Sequence, residues 1–156
     1  MTDTIFQSSD LAGGKRTEFL DAARSGLARL RDKDGTSLVM LPESRLRLLQ
    51  TLATWWEAYS RLDALLRRSL APTANELGEL AWLRPFDRAD LEEFLSDLHD
   101  ALVAASADED EAALADTLRA WRITARQLED PLRRSVLLGQ HVPSDYVEVD
   151  EPSGGE

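Results

Sequence analysis

The chain has 156 residues, 43% of them hydrophobic, no cysteine and a formal net charge of -11. That apolar fraction excludes wholesale disorder, and the lack of cysteine excludes disulfides, thiolate metal sites and a cysteine nucleophile. The opening MTDTIFQSSD lacks the basic and apolar regions of a signal peptide, and no apolar run approaches the ~18 residues of a membrane span. A cytoplasmic protein with no membrane partner is therefore expected.

Residues 4–6 predict a short first strand. Ser8, Ser9 and Asp10 offer N-caps for a helix bearing Phe19, Leu20 and Ala23. Gly13-Gly14 weakens its first turns, at about 1 kcal/mol per glycine, so the helix is expected to be firm from Lys15 and to stop near Gly26. Two alternating runs follow, 27–31 and 36–41, joined by Asp32-Lys33-Asp34-Gly35. Asp-Gly between alternating segments is a hairpin signal, because glycine accepts the positive φ of the turn. Ala28 and Leu30 share one face of the first strand, and either Leu38 and Met40 or Val39 and Leu41 face them from the second. A hairpin alone is marginal and requires a third strand, a helix or a second subunit.

Pro42 suits the first turn of a helix expected to run to about residue 70. Its seam is Leu48, Leu52, Trp55, Tyr59, Leu62 and Leu66, in steps of 4, 3, 4, 3 and 4. This period fits close packing on another long helix, in the same chain or another. Trp56 widens the stripe and is the candidate interface anchor. Ala71-Pro72-Thr73 breaks the chain, and Thr73 or Asn75 caps a short helix into Ala81-Trp82-Leu83, closed by Pro85. Asp87 caps a helix carrying Leu91, Phe94, Leu95, Leu98, Leu102 and Ala105, with Asp90, Glu92 and Glu93 favourable near its positive end.

Residues 106–111 read as an acidic connector to a helix bearing Leu114, Leu118, Trp121, Ala125 and Leu128. Pro131 bends or restarts it, and a final turn with Leu132, Val136 and Leu137 stops at Gly139. Residues 142–156 read as a disordered acidic tail. Trp55, Trp82 and Trp121 all fall on apolar helix faces and are expected in the core.

Charge is uneven along the chain. Residues 1–50 carry 8 basic and 7 acidic side chains, residues 51–100 carry 5 and 10, and residues 101–156 carry 5 and 12. The first third can approach phosphate locally, while the acidic remainder suits a basic protein partner. His99 and His141 lack helical metal-site spacing, and Asp108-Glu109-Asp110-Glu111 lacks the glycine and spacing of a calcium loop. Gly13-Gly14-Lys15-Arg16 lacks the Gly-x-x-x-x-Gly-Lys-Ser/Thr phosphate-loop frame. No catalytic residue, metal or cofactor is expected, and the protein is not expected to be an enzyme.

The order of elements over residues 4–60 resembles the DNA-binding dimerisation module of the Phd/YefM (prevent-host-death) antitoxins. The corresponding residues are Phe19-Leu20-Asp21-Ala22-Ala23, Gly26, Ala28-Arg29-Leu30-Arg31, Asp34-Gly35 and Leu38-Val39-Met40-Leu41-Pro42-Glu43. Where that family carries an arginine before the helix, this chain has Leu11-Ala12-Gly13-Gly14, and Lys15 and Arg16 are the nearest cations. The resemblance implies a small antiparallel sheet with helices over 1–60; with the all-α extension over 61–141 and the acidic tail over 142–156 read from the patterns above, an α+β fold is expected.

The resemblance further implies a homodimeric, antitoxin-like protein that binds a toxin-like partner and regulates its own transcription through operator DNA. Lys15, Arg16, Arg29, Arg31 and Lys33 are the candidate DNA contacts. Leu48, Leu52, Trp55, Trp56, Tyr59, Leu62 and Leu66 are the candidate dimer or partner interface. The alternative is a scaffold protein that uses the same module only to dimerise.

Overall fold

The computed structural model describes residues 4–68 and 71–130. Strand β1 (Ile5–Gln7) leads through a 3₁₀ turn (Ser8–Ala12) to helix α1 (Arg16–Arg24), and β2 (Ala28–Arg31) and β3 (Ser37–Met40) precede helix α2 (Glu43–Leu66). A short helix α3 (Ala74–Leu77) and a second 3₁₀ turn (Gly78–Leu83) precede helices α4 (Arg88–Asp108) and α5 (Ala112–Glu129). The protein is thus α+β, with a three-stranded sheet and a larger helical region.

The sheet has the order β1-β2-β3. β2 and β3 are antiparallel, as the Asp-Gly hairpin requires, but β1 pairs parallel to β2. The expected antiparallel sheet is therefore a mixed one. The reason is the connection: α1 carries the chain from the end of β1 back to the start of β2, which is a crossover and enforces parallel pairing. At the tip, Gly35 has φ +88°, and Asp32 and Asp34 accept hydrogen bonds from the backbone N–H groups of Lys33 and Thr36 at 2.7 and 2.8 Å. Leu38 stands opposite Leu30 and Met40 opposite Ala28, so the first of the two expected pairings holds.

α1 covers that same face. Phe6 of β1 meets Phe19 of α1 edge to face at 5.3 Å between ring centres, and Ala23 and Ala28 complete the small core. The single weak-starting helix expected before Gly26 is divided in two. Residues 8–12 form a 3₁₀ turn, and α1 begins only at Arg16, because two consecutive glycines lower helix propensity at the join.

Pro42 is the N-cap of α2 rather than a residue of its first turn, and α2 ends at Leu66. Its C-terminal carbonyls are held by a cation from another element. Arg88 donates to the Arg68 carbonyl at 2.9 Å and also to that of Leu66, while its Nε bonds Glu92 at 2.9 Å. Thr73 caps α3 in a reciprocal box with Glu76, and Asp87 caps α4 in a second box with Asp90. The expected short helix stops at Gly78 and continues as a 3₁₀ turn. α4 runs three residues into the expected connector, to Asp108. The expected turn after Pro131, His141 and the tail at 142–156 lie outside the described residues.

The seam of α2 finds its partner in the same chain. Leu48, Leu52, Leu62 and Leu66 pack with Phe94, Leu98 and Leu102 of α4 and with Leu114, Leu118 and Ala125 of α5. An edge-to-face series links the far side of this core: Phe86–Trp121 at 5.2 Å, Trp121–Phe94 at 5.4 Å and Phe94–Trp82 at 5.5 Å. Trp121 Nε1 donates to Asp97 at 2.9 Å, fastening α5 to α4. The sheet module and the helical region keep separate cores. The expected boundary at residue 60 falls inside α2, whose buried residues from Leu48 onward all belong to the helical core, so the division lies close to Pro42.

Phe94, with no exposed surface, sits at the centre of the aromatic series. Phe94→Ala is expected to cost about 3–5 kcal/mol, measured by urea unfolding, and a loss below about 1 kcal/mol would contradict this packing. Glu76 accepts bonds from Thr73 N, Thr73 Oγ1 and Arg68. The Thr73 backbone N–H foremost, with Arg68, holds its carboxyl down to about 2. A depressed carboxyl stabilises the fold above its ordinary value of 4.5 and loses that effect as pH falls towards 2. Glu76→Gln should therefore melt below wild type at pH 6, with the gap closing as the pH drops from 4.5 to 2.

Candidate functional site

β1 and β3 are the outer strands of the sheet, and each leaves one edge unpaired among the described residues. Alternation assigns the sides. Phe6, Leu30 and Leu38 share the α1 side, whereas Ile5, Arg29 and Val39 form a row across the opposite face. Among the described residues, that opposite face carries no helix equivalent to α1. Ile5 is 48% exposed and Val39 60%. Even on the α1 side, Leu38 and Met40 are exposed, because β3 lies beyond the reach of α1.

The apolar surface continues beyond the strands. An open groove of about 1030 Å³ follows the β1 edge and is lined by Ile5, Ala22, Leu27, Leu41, Arg45 and Leu49, among others. Leu27, Leu46 and Leu49 are exposed. The module that displays these side chains buries only Phe6, Phe19, Ala23 and Ala28 in its own core. A sheet this small needs further apolar cover for independent stability.

The five candidate DNA-contacting cations do not form one compact patch. Gln7, Arg31 and Ser37 share the row next to the hairpin turn. The chain leaves β1 at that end, so α1 must begin there in order to return to the start of β2. Lys15, Arg16, Arg31 and Lys33 therefore gather at the hairpin end of the module. Arg29 stands two rows away, between Ile5 and Val39, on the same open face as Arg31. Acids share the hairpin end: Asp10 lies 3.8 Å from Lys15, Glu18 is in the first turn of α1, and Asp32 and Asp34 are in the turn. The backbone N–H of Thr36 holds the Asp34 carboxyl below its ordinary value and so keeps it charged.

The seam residues have a different location. Leu48, Leu52, Leu62 and Leu66 are buried within the chain and are not open to a second molecule. Trp55, Trp56 and Tyr59 pack on that core but remain half-buried. Trp56, Tyr59 and His99 form an aromatic triangle between α2 and α4, with ring centres 5.6–5.8 Å apart. His99 Nδ1 lies 3.3 Å from Asp100. Among the described residues, no group of His, Asp and Glu side chains could hold a metal ion, and no helix is long and apolar enough to cross a membrane.

Polar contacts tie the first half of α2 to the turn between α4 and α5, beside residues 24–26 of the sheet module. Arg45 bonds Glu109 at 3.1 Å, and Thr51 Oγ1 bonds Glu111 at 3.3 Å. Gly26 admits this approach, because a Cβ there would stand 3.3 Å from an Arg45 guanidinium nitrogen. Sequence reading did not single out Leu27, Leu46 or Leu49, nor an arginine group formed by Arg84, Arg122 and Arg126. The i,i+4 spacing of Arg122 and Arg126 was visible, but their proximity to Arg84 depends on the packing of α5 on the second 3₁₀ turn. No protein-family model, curated protein or solved structure matches the chain.

Proposed function

We propose that the protein is an antitoxin-like binding protein that dimerises through the uncovered apolar surface of its sheet module. Its mode of action is occupation of a partner, not catalysis. The observation that carries this reading is the imbalance between four buried core residues and the exposed set Ile5, Leu27, Val39, Leu46 and Leu49 on or beside the same module. A second copy, bringing the same surface, would cover both at once. The strand, helix, hairpin and helix order that resembles the Phd/YefM module supports the same assignment.

In this reading Lys15, Arg16, Arg31 and Lys33 contact DNA phosphates at the hairpin end, where the start of α1 also directs its N–H groups outward. Trp56 and Tyr59 supply the contact for a partner protein, in the cytoplasm. A second reading, a dimerising scaffold without DNA binding, is favoured by one observation. Asp10, Glu18, Asp32 and Asp34 match the four cations at that end in number.

Light scattering on a size-exclusion column is expected to give the mass of a dimer at micromolar concentration, and a clean monomer would sink both readings. Leu27→Asp and Leu49→Asp alter exposed positions, so the fold should persist while dimer dissociation increases about 100-fold or more, as an unpaired buried carboxylate dictates. Mobility shifts with DNA from upstream of its own gene separate the two readings. The repressor reading expects binding that falls steeply with salt, with Arg31→Ala reducing the salt slope by about one. No shift at low salt leaves the scaffold reading.

A further inference from the structure

The end of α5 and the second 3₁₀ turn form an open pocket of about 300 Å³ lined by Trp82, Arg84, Arg122, Ala125, Arg126 and Glu129. Three guanidinium groups face one carboxylate there, in a chain whose net charge is -11. Glu129 is already paired with Arg84. Arg122 lies over the Trp82 indole, its Cζ 5.4 Å from the ring centre, and Arg126 makes no ion pair among the described residues. Two cations are thus left over beside an aromatic wall. Planar guanidinium groups match carboxylates through paired N–H donors, and the indole offers an apolar surface to the stem of an acidic peptide.

The chain carries such a peptide. α5 ends at Glu129, beside the pocket, and the sequence reads Asp145-Tyr146-Val147-Glu148-Val149-Asp150-Glu151 further on. The intervening length reaches up to about 50 Å when extended, far more than a return to the rim of the pocket demands. We propose that this pocket binds the chain's own acidic segment 145–151 through Arg122 and Arg126. A ligand on so short a tether competes at an effective concentration on the order of millimolar. A basic partner that takes the acidic segment must therefore displace it from the arginines first.

The buried Trp82 Nε1, which has no acceptor among the described residues, serves as the reporter. In the full-length ¹⁵N-labelled protein its indole resonance is identified by Trp82→Phe. Combining Asp145→Asn, Glu148→Gln, Asp150→Asn and Glu151→Gln is expected to shift that resonance. Arg126→Gln, which leaves the stacked Arg122 in place, should abolish the difference between native and neutralised segments. A synthetic peptide with the sequence of residues 142–156, added to the neutralised protein, should restore the original position. Its affinity should fall with added NaCl and roughly tenfold or more on Arg126→Gln. A Trp82 resonance that ignores neutralisation of the segment overturns the proposal. Restoration by inorganic phosphate as readily as by the peptide overturns it too, since the pocket would then bind anions without selecting this one.

Discussion

Phe94, Leu98 and Leu102 of α4 have no solvent exposure, and they reach that state only because α2 covers one flank of the helix and α5 the other. Each such side chain contributes about 1.5–3 kcal/mol relative to an exposed one. The polar contacts around this core set alignment more than they add stability. Arg88 fastens the start of α4 to the end of α2, and Trp121 with Asp97 fixes α5 against α4. The pocket formed by Trp82 and the arginines exists because Trp82 reaches inward to Phe94 while α5 passes across it.

The sheet module stands in a different position. Its three strands are short, its core is four residues, and apolar side chains remain on both the sheet and the adjoining part of α2. It joins the helical region at Pro42, where Gly26 lies against Arg45, itself paired with Glu109 of the turn between α4 and α5. Glu109, at φ 52°, holds a left-handed position that a glycine would fill with less strain, yet its carboxylate is what reaches Arg45. The protein thus carries a small sheet core beside a larger helical one.

Charge follows the same division. The near-neutral sheet end places its cations around the hairpin turn, whereas the surplus of acidic residues belongs to the helical region and the residues beyond it. Against that background the arginines at the end of α5 are the local exception. Two of them have no carboxylate committed to them among the described residues.

Local chemistry was legible without the tertiary structure. Asp34-Gly35 marked the hairpin, Thr73 and Asp87 marked helix starts, and the spacing from Leu48 to Leu66 marked one long amphipathic helix, because turn, cap and periodicity rules act within a few residues. Relations between distant segments were not legible. Nothing in residues 4–6 revealed that β1 would pair parallel to β2, since that depends on the path of α1. The seam of α2 carried no mark of whether its partner lay in the same chain, since an apolar stripe is satisfied equally by any complementary helix. Val39 and Leu38 alternated alike in the sequence, and only the position of α1 decided which side of the sheet was covered. Arg84 met Arg122 and Arg126 only through the packing of α5 on the turn before α4. The sequence by itself determined the elements and their ends; the tertiary structure decided which faces were buried and which stayed open, because burial is a property of neighbours brought together across the chain.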